Sequence, residues 1–253
     1  MALAIDASTP APDGISRLTT SITTTHAFSP PAGSVIFVFI SATGGGGGSA
    51  QDVTSVTDNL GAHLTWAEPT GVLDNIRGGG GSGLDGVTDI YWASCPNAQT
   101  NMTITANFTV ANASSTTNPA GIIQPVVFTG ASTTQTGAAA IYNSTSAATP
   151  SLSLTTTANN SWVFGIVQNF NNSTVGTPGS SQTITLNGTS ASINNTTDGD
   201  AFWAQTTTAP TPSSGTLVTL NDTAPTSIAQ HFSMIEILAN NSILAPIPVM
   251  WFH

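Results

Sequence analysis

The sequence predicts an all-β protein: an antiparallel, jelly-roll-like β-sandwich built from two related halves, with very little helix. Short segments rich in β-branched and aromatic residues are separated by Gly, Pro, Asn and Ser turns. No window shows the apolar spacing of three and four residues that marks an amphipathic helix. Four strand-like segments also occur twice in the same order, which indicates an internal duplication. The matching pairs are 34–41 and 161–168, 89–94 and 200–205, 102–105 and 217–220, and 126–129 and 235–238.

Five regions follow one another along the chain. They are an extended N-terminal arm (residues 1–16), a first β-half (17–130), a linker (131–149), a second β-half (150–239) and an apolar, proline-rich C-terminal tail (240–253). The predicted strands are 18–25, 35–40, 53–57, 63–66, 87–93, 102–110 and 122–128 in the first half, and 152–156, 162–170, 182–186, 201–206, 216–220 and 228–238 in the second. Continuous apolarity over 35–40 predicts a strand covered on both faces, and Pro125 predicts an edge or bulge position. Whether the halves form one sandwich or two is left open.

The composition excludes several classes of partner. Only 6% of the 253 residues are charged, the net charge is −10, and the cations are Arg17 and Arg77. Nucleic acids, anionic lipids and phosphate groups need clustered Lys or Arg, so we expect none of these partners. Because the chain has no lysine, its sheet edges lack a common guard against aggregation. We therefore expect the edges to be covered by loops or by neighbouring subunits.

The location of the protein is inferred from what the sequence lacks. The single Cys95 cannot form an intramolecular disulfide and is expected to be a small buried thiol. The start of the chain does not combine positive charge with a long apolar run, so we expect no Sec-type signal peptide. The longest apolar stretch, residues 35–40, is too short to span a bilayer. A virus particle released by lysis is one explanation, and a mature form that has lost its signal is another.

Glycine-rich segments and histidines are weighed first as sources of chemistry. The segments 44–48 and 78–81 are flexible loops rather than phosphate-binding loops, because a P-loop needs lysine. No pair of histidines has the spacing of a zinc site, so ordinary strand or surface positions are expected. The histidines are His26, His63, His231 and His253.

Acidic residues and serines also give no pattern typical of an active site. A glycosidase needs two facing carboxylates, but Glu68 and Glu236 each stand alone. Alternation within 234–238 puts Glu236 on a solvated or interface face. No Gly-x-Ser-x-Gly elbow accompanies the many serines. We therefore expect a protein that is not an enzyme and has no cofactor.

One cation remains a candidate. Asp85 and Asp89 precede Trp92 in the first half, and Asp198 and Asp200 stand at the matching place before Trp203. Carboxylate oxygens of this kind bind calcium in loops of β-sandwiches, although the spacing is not that of an EF-hand. Aspartate is also a common turn residue, which is the competing interpretation.

The tryptophans and the tail lead to different expectations. Trp66, Trp92, Trp162 and Trp203 fall inside predicted strands, and Trp92 and Trp203 occupy equivalent positions in the predicted repeat. Matched positions indicate pillars of the core rather than a platform for sugars. The tail lies outside the sandwich, where an exposed apolar patch marks an interface. The predicted interface residues are Val249, Met250, Trp251 and Phe252.

Several segments resemble a known kind of module. The strings at 56–61, 64–66, 151–157, 161–165, 200–205, 208–212 and 219–226 resemble a β-sandwich module of tailed-phage virion proteins and of bacterial surface or secreted proteins. The resemblance covers most of residues 17–239 and supplies no catalytic residues. It implies a virion structural protein, a capsid decoration or tail component, whose partners are its own copies and other virion proteins. The alternative is an extracellular carbohydrate-binding or adhesive module, assisted by calcium.

Overall fold

The computed structural model describes residues 1–14, 19–44, 51–69, 75–77, 86–109, 121–144, 149–169, 172–195, 199–226 and 230–240. Every regular element in these ranges is a β-strand, which confirms the all-β prediction. The strands up to residue 129 are β1 (Ala4–Ile5), β2 (Asp13–Gly14), β3 (Ser21–Thr23), β4 (Ser34–Thr43), β5 (Val53–Asp58), β6 (Asn75–Arg77), β7 (Gly86–Cys95), β8 (Ile104–Phe108) and β9 (Gly121–Thr129). The later strands are β10 (Ala139–Ser144), β11 (Ser151–Thr155), β12 (Trp162–Asn169), β13 (Thr177–Pro178), β14 (Gln182–Thr183), β15 (Thr185–Leu186), β16 (Thr189–Ser190), β17 (Ser192–Asn195), β18 (Asp200–Thr207), β19 (Leu217–Ala224) and β20 (Gln230–Ile237).

The two halves have the same strand order. The large sheet β1-β9-β4-β7-β6, with β2 also beside β9, matches β10-β20-β12-β18-β14, with β17 also beside β18. The three-stranded sheet β3-β8-β5 matches β11-β19-β13, and β15 and β16 form a separate pair. In the described ranges, the named strands of each half pair only with strands of that half. The duplication is therefore a repeat of two antiparallel sandwiches, while jelly-roll connectivity stays a prediction.

The two sandwiches are stacked, so the described residues form four layers of sheet. In β4, Ile36 and Val38 pack towards the three-stranded sheet of the first half, whereas Phe37 and Phe39 pack towards the second half. All ten residues of β4 are buried, which confirms the prediction of a strand covered on both faces. Strand β12 is arranged in the same way in the second half. A strand inside such a stack needs apolar residues at every position rather than at alternate ones.

The register of the strands shows that one of the predicted matches between the halves is wrong. Phe37 and Phe164 occupy matching positions, but Phe37 pairs with Trp92 and Phe164 pairs with Thr206. The prediction that Trp92 and Trp203 are equivalent is therefore wrong. Trp92 faces the other half, whereas Trp203 lies in the core of its own sandwich. An odd shift in register moves a side chain to the opposite face of the sheet, and that is the difference seen here.

Of the other predicted matches, one is confirmed by the register and one is not. The match between 126–129 and 235–238 is confirmed, because Phe37 pairs with Val126 and Phe164 pairs with Ile235. The match between 102–105 and 217–220 is wrong in register, since Met102 is fully buried but its supposed counterpart Leu217 is 67% exposed.

The N-terminal segment is extended, but it is also packed. Residues of β1 and β2 pair with β9, and Leu3 is buried in the core between the halves. Pro125 lies between the stretches of β9 that pair with β1 and β2, where β4 is the one strand that pairs with β9 in the described ranges. That position is edge-like, in agreement with the prediction for Pro125.

Two local predictions differ from the structure. The predicted linker 131–149 contains β10, which pairs along its whole length with β20. The predicted strand at 63–66 is a loop apart from the neighbouring isolated bridge between Ala67 and Trp92. The alternation of apolar residues there reflects the packing of Leu64 and Trp66 against the first core.

Candidate functional site

The surface between the two large sheets, called the seam here, joins the sandwiches through apolar side chains. Phe128 contacts Phe164 edge-on with ring centroids 5.1 Å apart, and Phe39 stacks on Phe164 at 5.7 Å. Phe202 and Ile235 extend the same fully buried cluster. Each aromatic side chain buried in this way stabilises the contact by roughly 1.5–3 kcal/mol relative to exposure. The seam is thus a continuous core and not a loose contact between domains.

One end of the seam is polar, and hydrogen bonds cross it. Ser41 Oγ donates to Gln168 Oε1 at 3.2 Å, and Ser233 Oγ donates to the carbonyl oxygen of Thr88 at 3.0 Å. All four residues are almost completely buried. His231, which pairs with Gln168 in the sheet, is also buried on this face. Buried hydrogen bonds have strict geometry, so they fix one relative position of the two halves.

Asp58 organises the loop that follows β5. Its carboxylate accepts bonds from the amides of Leu60 and Leu64 at 3.0 Å each, from Trp66 Nε1 at 2.9 Å, and contacts His63 Nδ1 at 3.0 Å. Burial by itself would raise the pKa of Asp58, but the hydrogen bonds from Trp66, His63 and the two amides outweigh it and lower the pKa. The carboxylate therefore stabilises a loop and is fully engaged in doing so.

Glu236 connects β20 to two loops of the second half. The amides of Ala138 and Thr157 donate to it at 2.9 Å, the Thr157 hydroxyl donates at 2.7 Å and the amide of Ala158 donates at 3.0 Å. Burial acts to raise the pKa of Glu236, but hydrogen bonds from Ser161, Ala138 and Thr157 outweigh it and lower the pKa. The expectation of a solvated or interface face is wrong, because Glu236 is fully buried.

Asp13 plays a similar part in the first half. It accepts hydrogen bonds from the amide and the hydroxyl of Thr25 and from the amide of His26, and its Oδ1 lies 3.1 Å from His26 Nδ1. Asp13 is buried while His26 is exposed. This contact fastens the N-terminal segment to the turn after β3.

Asp222 differs from these carboxylates. It is 1% exposed, yet neither of its oxygens has a hydrogen-bond partner in the part of the chain that the structure describes. The indole N–H of Trp203, beside it, donates to Gln205 at 3.1 Å. Burial raises the pKa of Asp222 to about 7, and the neighbouring Trp203 indole, whose N–H is directed to Gln205, offsets the effect of burial only in part. A Cβ at Gly176 would overlap the Asp222 carboxyl, so the group is tightly enclosed.

The repeat offers a signal that could have revealed Asp222. Asn107 of β8 pairs with Ser21, the first residue of β3, and Asn221 of β19 pairs with Ser151, the first residue of β11. The residue after Asn107 is Phe108, which lies in the first core. Asp222 therefore occupies a position that is apolar in the first half. The incorrect register of the 102–105 and 217–220 match concealed this difference.

The predicted calcium residues lie partly within the described ranges. Asp85 and Asp198 are outside them. Asp89 and Asp200 are buried at 0% and 7% exposure, at or near the start of β7 and β18, and not on a surface loop. The ranges described contain no group of three or more His, Cys, Asp or Glu residues that could hold a metal ion. Asp89 and Asp200 thus offer no exposed calcium loop.

The aromatic residues and the tail are the remaining predicted sites. Trp203 is fully buried, and Trp66, Trp92 and Trp162 are half-buried against the cores. Among the residues that the structure describes, Tyr142 is the aromatic side chain that is more than a third exposed. The predicted interface residues Val249, Met250, Trp251 and Phe252 lie outside the described ranges.

No protein-family model matches the chain, and no curated protein or solved structure is significantly similar to it. Within the ranges described, no helix is long and apolar enough to cross a membrane. Functional inference for this chain therefore rests on its own composition and contacts.

Proposed function

We propose that this chain is a non-enzymatic structural subunit of a virion, a capsid decoration or tail component that assembles with its own copies and with other virion proteins. The observation that carries the proposal is the seam. It unites two sandwiches into one four-layer block through apolar packing and buried hydrogen bonds. A block without a loose internal contact transmits load between its neighbours, which is the task of a structural subunit.

The use of the carboxylates supports the same proposal. Asp13, Asp58 and Glu236 each accept several hydrogen bonds from nearby loops. Carboxylates held in this way have fixed positions and lowered proton affinity where the pKa shifts, as for Asp58 and Glu236. They favour rigid loops over acid–base chemistry, which needs a pKa near the working pH.

The alternative is a carbohydrate-binding or adhesive module of an extracellular surface. Sugars stack on exposed, coplanar aromatic side chains, and calcium would order the neighbouring loops. The tryptophans of the described strands are instead directed into the seam and into the core of the second sandwich. This placement favours the structural subunit.

The native mass of the full chain in solution, measured by light scattering, tests the proposal. A discrete oligomer or a filament is expected. A monomer at all accessible concentrations, combined with glycan binding on an array that depends on calcium, would overturn the structural role in favour of the alternative. The array is run with and without calcium on the same preparation.

A further inference from the structure

Strand β10 is a terminal strand with an unusual composition. It pairs with β20 on one side, and among the residues that the structure describes no strand lies on its other side. Its sequence, Ala-Ala-Ile-Tyr-Asn-Ser, contains neither a charged residue nor a proline. Ile141 and Tyr142 are 37% and 39% exposed, and neighbouring residues in a strand point to opposite faces. The strand is therefore apolar and accessible on both sides of its edge.

The equivalent edge of the first half is guarded. There β9 is accompanied by β1 and β2, each of two residues, and the segment between and around them contains Pro10, Pro12 and Asp13. Short strands, prolines and charges are the usual means by which proteins prevent edge-to-edge association. The repeat thus presents the same edge twice. It is protected in the first half, and in the second half it has no neighbouring strand within the described ranges.

We propose that the outer edge of β10 pairs antiparallel with β10 of a second copy of this chain, so that the two large second-half sheets become one continuous sheet. The proposal rests on the structural role proposed above and names the contact that would serve it. A second copy suits this edge because the chain carries a net charge of −10, and two uncharged strands are a place where copies meet with little repulsion. Main-chain hydrogen bonds would supply the contact, as in other cases of strand addition.

Symmetry restricts the register of this pairing. A two-fold axis relating antiparallel edge strands stands perpendicular to the sheet and leaves each residue on its own face. Directly paired residues of an antiparallel ladder also share a face. The residue at the axis therefore lies opposite itself. Registers centred on Ile141 or on Tyr142 pair most of the strand Ala139–Ser144, so we expect Ile141 opposite Ile141 of the second copy, or Tyr142 opposite Tyr142. Each arrangement places like apolar side chains within cross-strand contact distance.

The first experiment compares Ile141→Lys with Leu217→Lys in the full chain, using light scattering over a range of concentrations. Leu217 is a matched control because it is also an exposed aliphatic residue, at 67%, but lies in β19 in the middle of its sheet. We expect Ile141→Lys to lose the two-chain species at concentrations where the parent and Leu217→Lys keep it. Equal masses for the two variants would overturn the inference. A parent that is monomeric would also overturn the inference, and it would overturn the proposed function only if the chain binds glycans in a calcium-dependent way, so the two failures are distinguishable.

The second experiment needs no charge in the strand and reports the register directly. Ile141→Cys and Tyr142→Cys are oxidised separately, with Leu217→Cys as the control; the native Cys95 is fully buried. Disulfide-linked dimers are expected from one of the two β10 variants in clear excess over the other and over the control. If neither exceeds the control, β10 is covered by a different segment or partner and the inference is wrong.

Discussion

Ser41 and Gln168 hydrogen-bond to each other across the seam at 3.2 Å, and they occupy the same position in the two repeats. Both are the final residues of the matching segments 34–41 and 161–168 in the central strands of the two large sheets. Equivalent residues meet in this way at the axis of an isologous contact between two similar bodies. The two halves of the chain therefore pack against each other as the subunits of a symmetric dimer do.

The aromatic part of the seam is expected to hold the two sandwiches together. Phe164→Ala removes a ring that contacts Phe39, Phe128 and Trp162. The free energy of unfolding is expected to fall by about 3–5 kcal/mol, because a large cavity forms in a closed core. Chemical denaturation measures the loss. Leu217→Ala at the surface should change the same quantity by about 0.5 kcal/mol or less, and equal losses would contradict the role of the seam.

The polar end of the seam should contribute less. Ser41→Ala removes the donor to Gln168 and also the bond from Ser41 Oγ to the carbonyl oxygen of Val87. A loss of about 1–3 kcal/mol in unfolding free energy is expected, because buried acceptors are left unsatisfied. A double-mutant cycle with Gln168→Ala isolates the contribution of the pair across the seam. Strict additivity of the two changes would mean that this hydrogen bond does not couple the halves.

The raised pKa of Asp222 predicts that the free energy of unfolding decreases as the pH rises. Its pKa is about 7 in the folded protein against an ordinary value of 3.8, so the folded state holds a proton that the unfolded state has released between these values. The contribution of Asp222 to stability is therefore fully present below pH 3.8 and is lost as the pH rises through about 7. The difference corresponds to on the order of 4 kcal/mol.

Asp222→Asn should remove this pH dependence. The variant is expected to be more stable than the parent at pH 8 and similar to it at pH 4, as measured by thermal unfolding across this range. Asp58→Asn is a control for which the expected change in stability has the opposite sign. This variant should be less stable than the parent at pH 8, because it loses hydrogen bonds that the carboxylate accepts. A parent whose stability does not fall between pH 4 and 8 would show that Asp222 is charged and compensated in the folded protein.

Glu236 predicts a loss of stability on the acid side. Its pKa is lowered in the folded protein, so its contribution is present above its ordinary pKa of 4.5 and is lost as the pH falls through the folded value. Glu236→Gln should reduce the unfolding free energy at pH 7 by about 1.5–3 kcal/mol. The reason is that a neutral side-chain amide replaces the charged carboxylate that accepts hydrogen bonds from several backbone amides. The same variant measured well below pH 4 should approach the parent, and a difference that is independent of pH would exclude the charge as its cause.

The C-terminal tail can be tested independently of β10. Deletion of residues 243–253 is expected to abolish higher assembly while leaving the sandwiches folded, because the tail contains the predicted interface residues Val249, Met250, Trp251 and Phe252. Light scattering reports the assembly and circular dichroism the fold. Survival of the full assembly after the deletion would remove the tail from the interface.

The fold could be predicted further than the site. Residues 35–40 are predictable as a doubly covered strand because a strand inside a stack is apolar at every position, and they lie within β4. The register of the match between 89–94 and 200–205 was not predictable from the sequence. Trp92 and Trp203 are the same type of residue, although they face different cores. Glu236 was assigned to a solvated face because alternation describes which face a residue takes, and not which loops cover that face.

The sequence by itself determined the all-β class, the duplication and the burial of β4 on both faces. These depend on the local order of apolar and polar residues, which the chain carries along its length. Only the tertiary structure decided that the halves form two stacked sandwiches, that Ser41 meets Gln168, that Asp222 is enclosed beside Trp203, and that β10 stands at an edge. Those relations join residues far apart in the chain, and they are determined by which sheet faces pack together, a choice that strand patterns leave free.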